Sequence, residues 1–410
     1  MGRRLSKEWL AVAVWITAVY AAIPFVRSLR EAFAIRWPVE LLAFAVMGIV
    51  VAAAVGAVVA SHRRRHSIRW ADVVWLAGIA AVLIVWTRSL MGQPEEAVHF
   101  IEYGVLGVLL YRALRLHIDA PGVFVAGALL GAIVGTVDEI LQWVVPDRYW
   151  DFRDLVLNGG ASILVQIALW RVVRKTGSPV TLQTTRFVCR LAACQIALLI
   201  LVLAATPQRL AALARSLPFL EPLAVSNDVM CEYGSMHHLD DRTSFRSRLS
   251  DRELLDQDLH HSAEAAARLD DSQGRYDRFL REVSPAEDPF TYEARVHVFA
   301  RNRNLAEAPR HAEGTREHRR SMTTAARENR ILEQVFGDTL SQSAFLWSDR
   351  QRTAVESVED PDARYVSKVA GHLITAVSEP VLRFLMLAAL AVLIAADVFL
   401  SRSLLQSTRE

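Results

Sequence analysis

The chain has 410 residues, a net charge of +2 and a hydrophobic fraction of 52%, and its mean hydropathy of +0.23 is high for a soluble enzyme of this length. The apolar residues occur in runs of about 18 to 22, the length that a helix needs to cross the hydrocarbon of a bilayer, so the composition excludes an ordinary water-soluble core. No polar segment combines a block of Lys and Arg with interleaved aromatic residues, which argues against a nucleic-acid partner.

The apolar segments predict an all-α fold, a polytopic helical membrane protein with about eight transmembrane helices. Each segment consists mostly of Leu, Val, Ile and Ala, and Trp stands at several of the ends, as is usual at a membrane interface. The predicted spans are 9–26, 39–60, 70–86, 99–116, 121–145, 155–173, 187–205 and 381–400.

The basic residues in the short loops predict the orientation of these spans. The loop after the second span reads His62-Arg63-Arg64-Arg65-His66, and loops of this kind favour the cytoplasm. Arg27, Arg30 and Arg36 favour the opposite orientation but are outnumbered by the other basic loops. Both termini are therefore expected in the cytoplasm, and residues 207–378 are expected to be extracytoplasmic.

The segment 207–378 is rich in Arg, Asp, Glu and His, and it predicts a helical extracytoplasmic domain. The run from Ser250 to Glu253 is a capping-box pattern, and Leu255 and Leu259 follow it at helical spacing. Farther on, Tyr365 begins an apolar stripe that also suggests a helix. The predicted domains are an N-terminal transmembrane pair (1–68), a membrane core (69–175), a transmembrane helix (176–206), the extracytoplasmic domain (207–378) and a C-terminal transmembrane helix with its tail (379–410).

Two groups of polar residues lie at membrane depth in the predicted core. His99, Glu102 and Tyr103 share one helix face at the start of the fourth span, because they are three and four residues apart. An ionisable group at this depth costs about 2.5 to 3.5 kcal/mol, so these side chains need partners. The second group runs from the fifth span into the sixth and contains Asp138, Glu139, Gln142, Arg148, Asp151, Asp154 and Asn158.

The topology places both groups on the outer side of the membrane, so we expect them to share one polar pocket. In a catalytic interpretation, His99, Asp138 and Glu139 act as acid and base, and Arg148 binds a phosphate or carboxylate through its planar guanidinium. The substrate would also contact Glu102, Tyr103, Gln142, Asp151, Asp154 and Asn158. The alternatives are a structural hydrogen-bond network, a cation bound by Asp138 or Glu139, and an ion pair of Arg148 with Asp151.

Taken together, these residues resemble the VanZ-like family. The resemblance covers residues 70–173 and is carried by His99-Phe100 with Tyr103, Asp138-Glu139 with Gln142, Pro146 with Arg148, and Asp154 with Asn158 and Gly160. It implies a small helical core in the cytoplasmic membrane of a bacterium and a role at the cell envelope, since the founding member is associated with low-level resistance to the glycopeptide teicoplanin. The family supplies no assigned reaction. Where the family often carries a Lys upstream of the histidine, this chain has Arg88.

We therefore expect a cell-envelope protein that lies in the lipid bilayer and engages a lipid-linked or polyanionic component, either as an enzyme or not. The alternative is a non-enzymatic, transporter-like or sensor protein that presents the extracytoplasmic domain to partners. No cofactor and no metal site is assigned. The run His237-His238-Leu239-Asp240-Asp241 resembles a ligand cluster, but adjacent histidines on a helix point apart.

Overall fold

The computed structural model describes residues 2–65, 69–118, 120–145, 150–173, 180–221, 223, 230–271 and 275–407. The chain divides into two compact units. Unit 1 combines residues Met1–Leu203 with Phe384–Glu410, and unit 2 comprises Ala204–Arg383.

Unit 1 contains the apolar helices. Among the described residues, eight helical segments are long and apolar enough to cross a membrane, which confirms the predicted all-α polytopic fold. The helices are α1 (Gly2–Ala22), α2 (Val26–Ala34), α3 (Glu40–Arg65), α4 (Trp70–Ser89), α5 (His99–Leu114), α6 (Gly122–Val144), α7 (Phe152–Val173) and α8 (Leu182–Ala204), followed at the end of the chain by Glu379–Ser407. A 3-10 helix, Pro94–Val98, leads directly into α5.

Helices α5, α6 and α7 form the packed centre of unit 1, and α6 and α7 make the most extensive contact in it. Three glycines, Gly127, Gly131 and Gly135, recur every four residues along α6 and form one face of this helix. A Cβ atom added at any of them would lie within 3.0 Å of a side chain of α7. The glycine face therefore lets the two helices approach closely, as small residues do in membrane helix pairs. The side chains of α7 that it meets are Asn158, Ser162 and Gln166.

Unit 2 is mostly helical and contains a short three-stranded sheet. Its helices are α9 (Pro207–Ala214), α10 (Asp251–Asp271), α11 (Tyr276–Glu282), α12 (Pro289–Glu307), α13 (Arg316–Val335), α14 (Gly337–Ser341) and α15 (Asp349–Glu356). Its strands are β1 (Ser235–His238), β2 (Thr243–Ser247) and β3 (Tyr365–Val366). Strand β2 lies between the other two, antiparallel to β1 and parallel to β3. The core of unit 2 packs Phe245 of β2 against Phe290, Val298, Ile331 and Phe336 of the helices.

Two local predictions in unit 2 need correction. Helix α10 begins as predicted, because Ser250 and Glu253 form the reciprocal hydrogen bonds of a capping box. The buried face of α10 differs, however, since Leu255 is 61% exposed and Leu259 57% exposed, while Leu254 is buried. Asp258 takes the inward position because its carboxylate accepts hydrogen bonds from the backbone at the start of α14. The stripe that begins at Tyr365 is not a helix: Tyr365 and Val366 form β3, because they pair with β2, far away in sequence, and turns follow.

Candidate functional site

The predicted site residues come from three helix ends that lie at one end of the bundle. His99, Glu102 and Tyr103 occupy the start of α5. Asp138, Glu139 and Gln142 lie in the last two turns of α6, and Asp154 and Asn158 lie in the first two turns of α7. Because α6 runs opposite to α5 and α7, the end of α6 meets the start of the other two. We call the cluster formed by these eight residues the polar pocket.

His99 and Glu102 form the partly exposed side of the polar pocket. Nδ1 of His99 lies 3.1 Å from Oε2 of Glu102, and the two side chains are 14% and 25% exposed. The imidazole ring also lies against Tyr103, with the ring centroids 6.2 Å apart. The polar pocket is therefore partly exposed at His99 and Glu102, while the carboxylates of α6 are buried.

The carboxylates of Asp138 and Glu139 in α6 are fully buried, and other side chains of the polar pocket donate hydrogen bonds to them. Tyr103 donates its hydroxyl proton to Oδ2 of Asp138 at 3.1 Å. The amide of Gln142 donates to Oε1 of Glu139 at 3.2 Å, and the amide of Asn158 donates to the same oxygen at 2.9 Å. Residues predicted from separate segments thus meet in one network, as the sequence suggested.

Three buried side chains of the polar pocket each have one oxygen without a hydrogen bond from the described residues. Oδ1 of Asp138, Oε2 of Glu139 and Oδ1 of Asn158 are inaccessible and accept no hydrogen bond from any described residue. Asp138 is 1% exposed, and Glu139 and Asn158 are 0% exposed. A buried acceptor without a donor costs about 1 to 3 kcal/mol, and more when it is charged. The arrangement is therefore suited to a proton, a cation or the donor group of a ligand.

His99, Glu139 and Asp154 have the geometry of a metal-ligand set. Each offers one ligand atom, and these atoms all lie within 4.8 Å of one another. One imidazole nitrogen and two carboxylate oxygens are a donor set that suits divalent transition metals. All three residues are among the predicted site residues, but the sequence predicts no metal site, because distances between three separate helices cannot be read from it.

Gly135 positions the other side chains of the polar pocket. A Cβ at this residue would lie 2.6 Å from Cβ of Asn158 and 3.3 Å from the ring of Tyr103. The missing side chain leaves the room in which Asn158 and Tyr103 reach the carboxylates of α6. Gly135 and the glycines on the same face are not among the residues predicted from the sequence, although their four-residue spacing is a signal of close helix packing.

Asp151 lies in a neighbouring cluster. Its Oδ1 accepts a hydrogen bond of 2.7 Å from the backbone N–H of Arg153. Arg153 also forms an ion pair with Glu96 and donates a 2.6 Å hydrogen bond to Gln93. Neither Glu96 nor Arg153 was singled out from the sequence, although the Glu95-Glu96 doublet directly before α5 offered a signal. A substrate role for Asp151 stays a prediction, and Arg148 lies outside the described residues.

The paired histidines of unit 2 do not form a ligand cluster. His237 lies on strand β1 rather than on a helix, and both of its ring nitrogens are engaged. Nδ1 lies 2.6 Å from Oδ1 of Asp251, and Nε2 lies 2.9 Å from the carbonyl oxygen of Leu249. His237 therefore ties the sheet to the start of α10.

The N-terminal part of the chain matches one known protein family. The model of the VanZ/LLP1 family matches residues 9–174, which extends the resemblance seen in the sequence toward the N-terminus. No curated protein and no solved structure shows a significant match to the chain. All residues of the polar pocket fall within the matched segment. Residues 9–174 therefore match the VanZ/LLP1 family, in agreement with the resemblance that the sequence motifs indicate.

Proposed function

We propose that the VanZ-like core binds the head group of a lipid-linked cell-envelope component in the polar pocket, on the extracytoplasmic side of a bacterial cytoplasmic membrane. The single observation that carries this proposal is the set of buried oxygens of Asp138, Glu139 and Asn158 that accept no hydrogen bond from the described residues. In a membrane, polar groups of this kind are costly, so their presence favours a function over a purely structural role.

The depth of the polar pocket favours an amphiphilic ligand. Asp138 lies six residues before the last residue of α6, Val144, which corresponds to about 9 Å along the helix axis. A head group would reach this depth from the partly exposed side at His99 and Glu102, while its hydrocarbon chain lies against the apolar outer surfaces of the helices. A lipid-linked precursor has both parts.

The charges of the polar pocket restrict how the head group binds. The described part of the pocket contains four carboxyl groups, Glu102, Asp138, Glu139 and Asp154, and one imidazole, His99. A phosphate cannot approach this set favourably without a compensating positive charge. In an enzymatic form of the proposal, His99 accepts the proton of an attacking hydroxyl or water while Asp138 or Glu139 protonates the leaving oxygen.

Binding of a polyprenyl pyrophosphate to the purified full-length protein in nanodiscs tests the proposal. We expect His99→Ala to weaken binding at least tenfold without loss of membrane expression, because it removes the one side chain in the described part of the pocket that can carry a positive charge. The matched control is Glu8→Gln, because Glu8 is also a buried carboxylate of unit 1 but pairs with Arg112, in the last turn of α5, at 3.0 Å. Absence of binding, or equal affinity in all variants, would reject the proposal.

The link to glycopeptides has its own test. We expect a strain that lacks the gene to become more susceptible to teicoplanin, and we expect the wild-type gene, but not Asp138→Asn, to restore resistance. Unchanged susceptibility on deletion would remove this link.

The proposed orientation is tested by adding protease to intact spheroplasts, where cleavage within residues 207–378 is expected.

A non-enzymatic scaffold is the second candidate function. It is favoured by the organisation of unit 2, which has its own hydrophobic core and lies outside the residues that the VanZ/LLP1 model matches. If the phenotype depends on deletion of residues 227–378 and is insensitive to substitutions in the polar pocket, this second function is correct and the first is not.

A further inference from the structure

The polar pocket contains three side chains that converge on one point from three different helices. His99 comes from α5, Glu139 from α6 and Asp154 from α7, and their nearest ligand atoms all lie within 4.8 Å of one another. Ligands held about 2.1 Å from one ion in tetrahedral geometry are about 3.4 Å apart, so closing on an ion shortens each ligand–ligand distance by up to about 1.4 Å. We propose that these three residues bind a divalent transition-metal ion.

A second observation, independent of the three ligands, points to the same place. Asn158 is 0% exposed, and its amide nitrogen donates a 2.9 Å hydrogen bond to Oε1 of Glu139. This bond holds the amide group of Asn158 beside Glu139. Neither Oδ1 of Asn158 nor Oε2 of Glu139 accepts a hydrogen bond from any described residue. The site thus presents acceptors that a cation satisfies.

The types of ligand atom support a divalent transition-metal ion. Two carboxylate oxygens, from Glu139 and Asp154, and one imidazole nitrogen, from His99, form a donor set that such ions bind. Glu102 lies 3.1 Å from His99 and orients the ring, as an acidic neighbour commonly does for a ligand histidine. The nitrogen ligand favours Zn²⁺ or Mn²⁺ over Mg²⁺, which prefers oxygen ligands.

The ion also explains how an acidic pocket can hold an anionic head group. A metal ion at this position would present open coordination sites to a phosphate or another oxygen of the ligand. When the ion is bound, His99 and Glu139 serve as its ligands, so Asp138 would be the acid or base in an enzymatic form of the proposal. The purpose of the ion rests on the proposed function, but binding of the ion itself does not.

Titration of the full-length protein in detergent, after treatment with a chelator, tests the inference with Zn²⁺, Mn²⁺ and Mg²⁺ alone. We expect one tight Zn²⁺ or Mn²⁺ per chain and at least tenfold weaker binding of Mg²⁺. Glu139→Gln and His99→Ala should each weaken the tight binding at least tenfold, whereas Glu8→Gln should leave it unchanged. The chain has 12 histidines, so only binding that these two variants remove counts in support.

Glu139→Gln is the decisive variant, because an amide oxygen at this position still accepts the hydrogen bonds from Gln142 and Asn158 and the fold is retained. Size-exclusion chromatography confirms that each variant remains folded, and Asp154→Asn replaces His99→Ala if the latter aggregates. Wild-type affinity in Glu139→Gln, equal affinity for Mg²⁺ and Zn²⁺, or no tight ion in the wild type would overturn the inference. Metal binding without lipid binding would retain this site and reject the proposed function.

Discussion

Units 1 and 2 both bury charged side chains, but they satisfy them differently. In unit 2, no buried carboxylate oxygen among the described residues lacks a hydrogen bond. In unit 1, such oxygens occur on Asp138 and Glu139 of the polar pocket and on Glu95 and Glu96 of the 3-10 helix before α5. The residue types are the same in both places. The difference shows that burial of a carboxylate alone says little about function, while the number of its partners separates a structural role from a ligand site.

Arg248 shows how unit 2 pairs its charges. Its guanidinium lies 2.7 Å from Glu232 and 3.1 Å from Glu293, and Glu293 also accepts a 2.5 Å hydrogen bond from Ser247. Burial by itself would raise the pKa of Glu232, but the hydrogen bonds from His372 and Arg248 outweigh burial and hold this pKa below its ordinary value. The carboxylate is therefore stabilised in its charged form by protein groups alone.

Glu328 repeats the pattern in the centre of unit 2. One of its oxygens lies 2.5 Å from Nδ1 of His297, and the other accepts hydrogen bonds from Tyr365 and Ser367. This network joins α12, α13 and the segment around β3. Both oxygens of Glu328 therefore have protein partners, whereas Oε2 of Glu139 in the polar pocket has none among the described residues.

The largest effect is expected in unit 2, from Glu293→Ala. The substitution removes one of the two carboxylates that compensate Arg248, so the free energy of unfolding should fall by about 3 kcal/mol. Pulse proteolysis of the full-length protein in urea measures this change. The control is Glu264→Ala, whose ion pair with Arg268 is exposed and should contribute about 0.5 kcal/mol or less. Equal effects of the two substitutions would show that the buried network contributes no more than a surface pair.

An intermediate effect is expected where α6 meets α7. A Cβ at Gly131 would lie 2.3 Å from Oγ and 2.7 Å from Cβ of Ser162, so Gly131→Ala should cost about 1 to 3 kcal/mol despite the better helix propensity of alanine. Thermal unfolding in detergent measures the loss. Gly159→Ala is the matched control on α7, because its nearest neighbour would be Ala132 at 4.0 Å. A stable Gly131→Ala variant would contradict the close approach that builds the polar pocket.

The smallest effect on stability is expected in the polar pocket itself. Glu139→Gln removes a charge that the described protein groups do not fully compensate and retains an oxygen acceptor, so stability should change by less than about 1 kcal/mol or increase. Glu293→Gln, the same substitution in unit 2, should be clearly more destabilising, because it removes the charge that faces Arg248. Unfolding of both variants in one detergent makes the comparison. If Glu139→Gln lowered the free energy of unfolding as much as Glu293→Gln, Glu139 would have a structural role like that of Glu293.

Much of the fold could be predicted because the deciding signals are local. The apolar runs gave the spans, and Ser250 with Glu253 gave the start of α10, since length, composition and capping depend on residues within a few positions. The end of the bundle at which His99 and Glu139 meet could also be predicted, because consecutive spans alternate in direction. The buried face of α10 could not, since Asp258 lies inward only because α14 offers its backbone N–H groups.

The sequence by itself determined a polytopic helical chain with a VanZ-like core and with polar residues gathered at one end of it. Only the tertiary structure decided that His99, Glu139 and Asp154 converge and which oxygens remain without a hydrogen bond. The physical reason is that convergence depends on how each helix is rotated about its axis. That rotation is set by the contact of the glycine face of α6 with α7, which no single segment specifies alone.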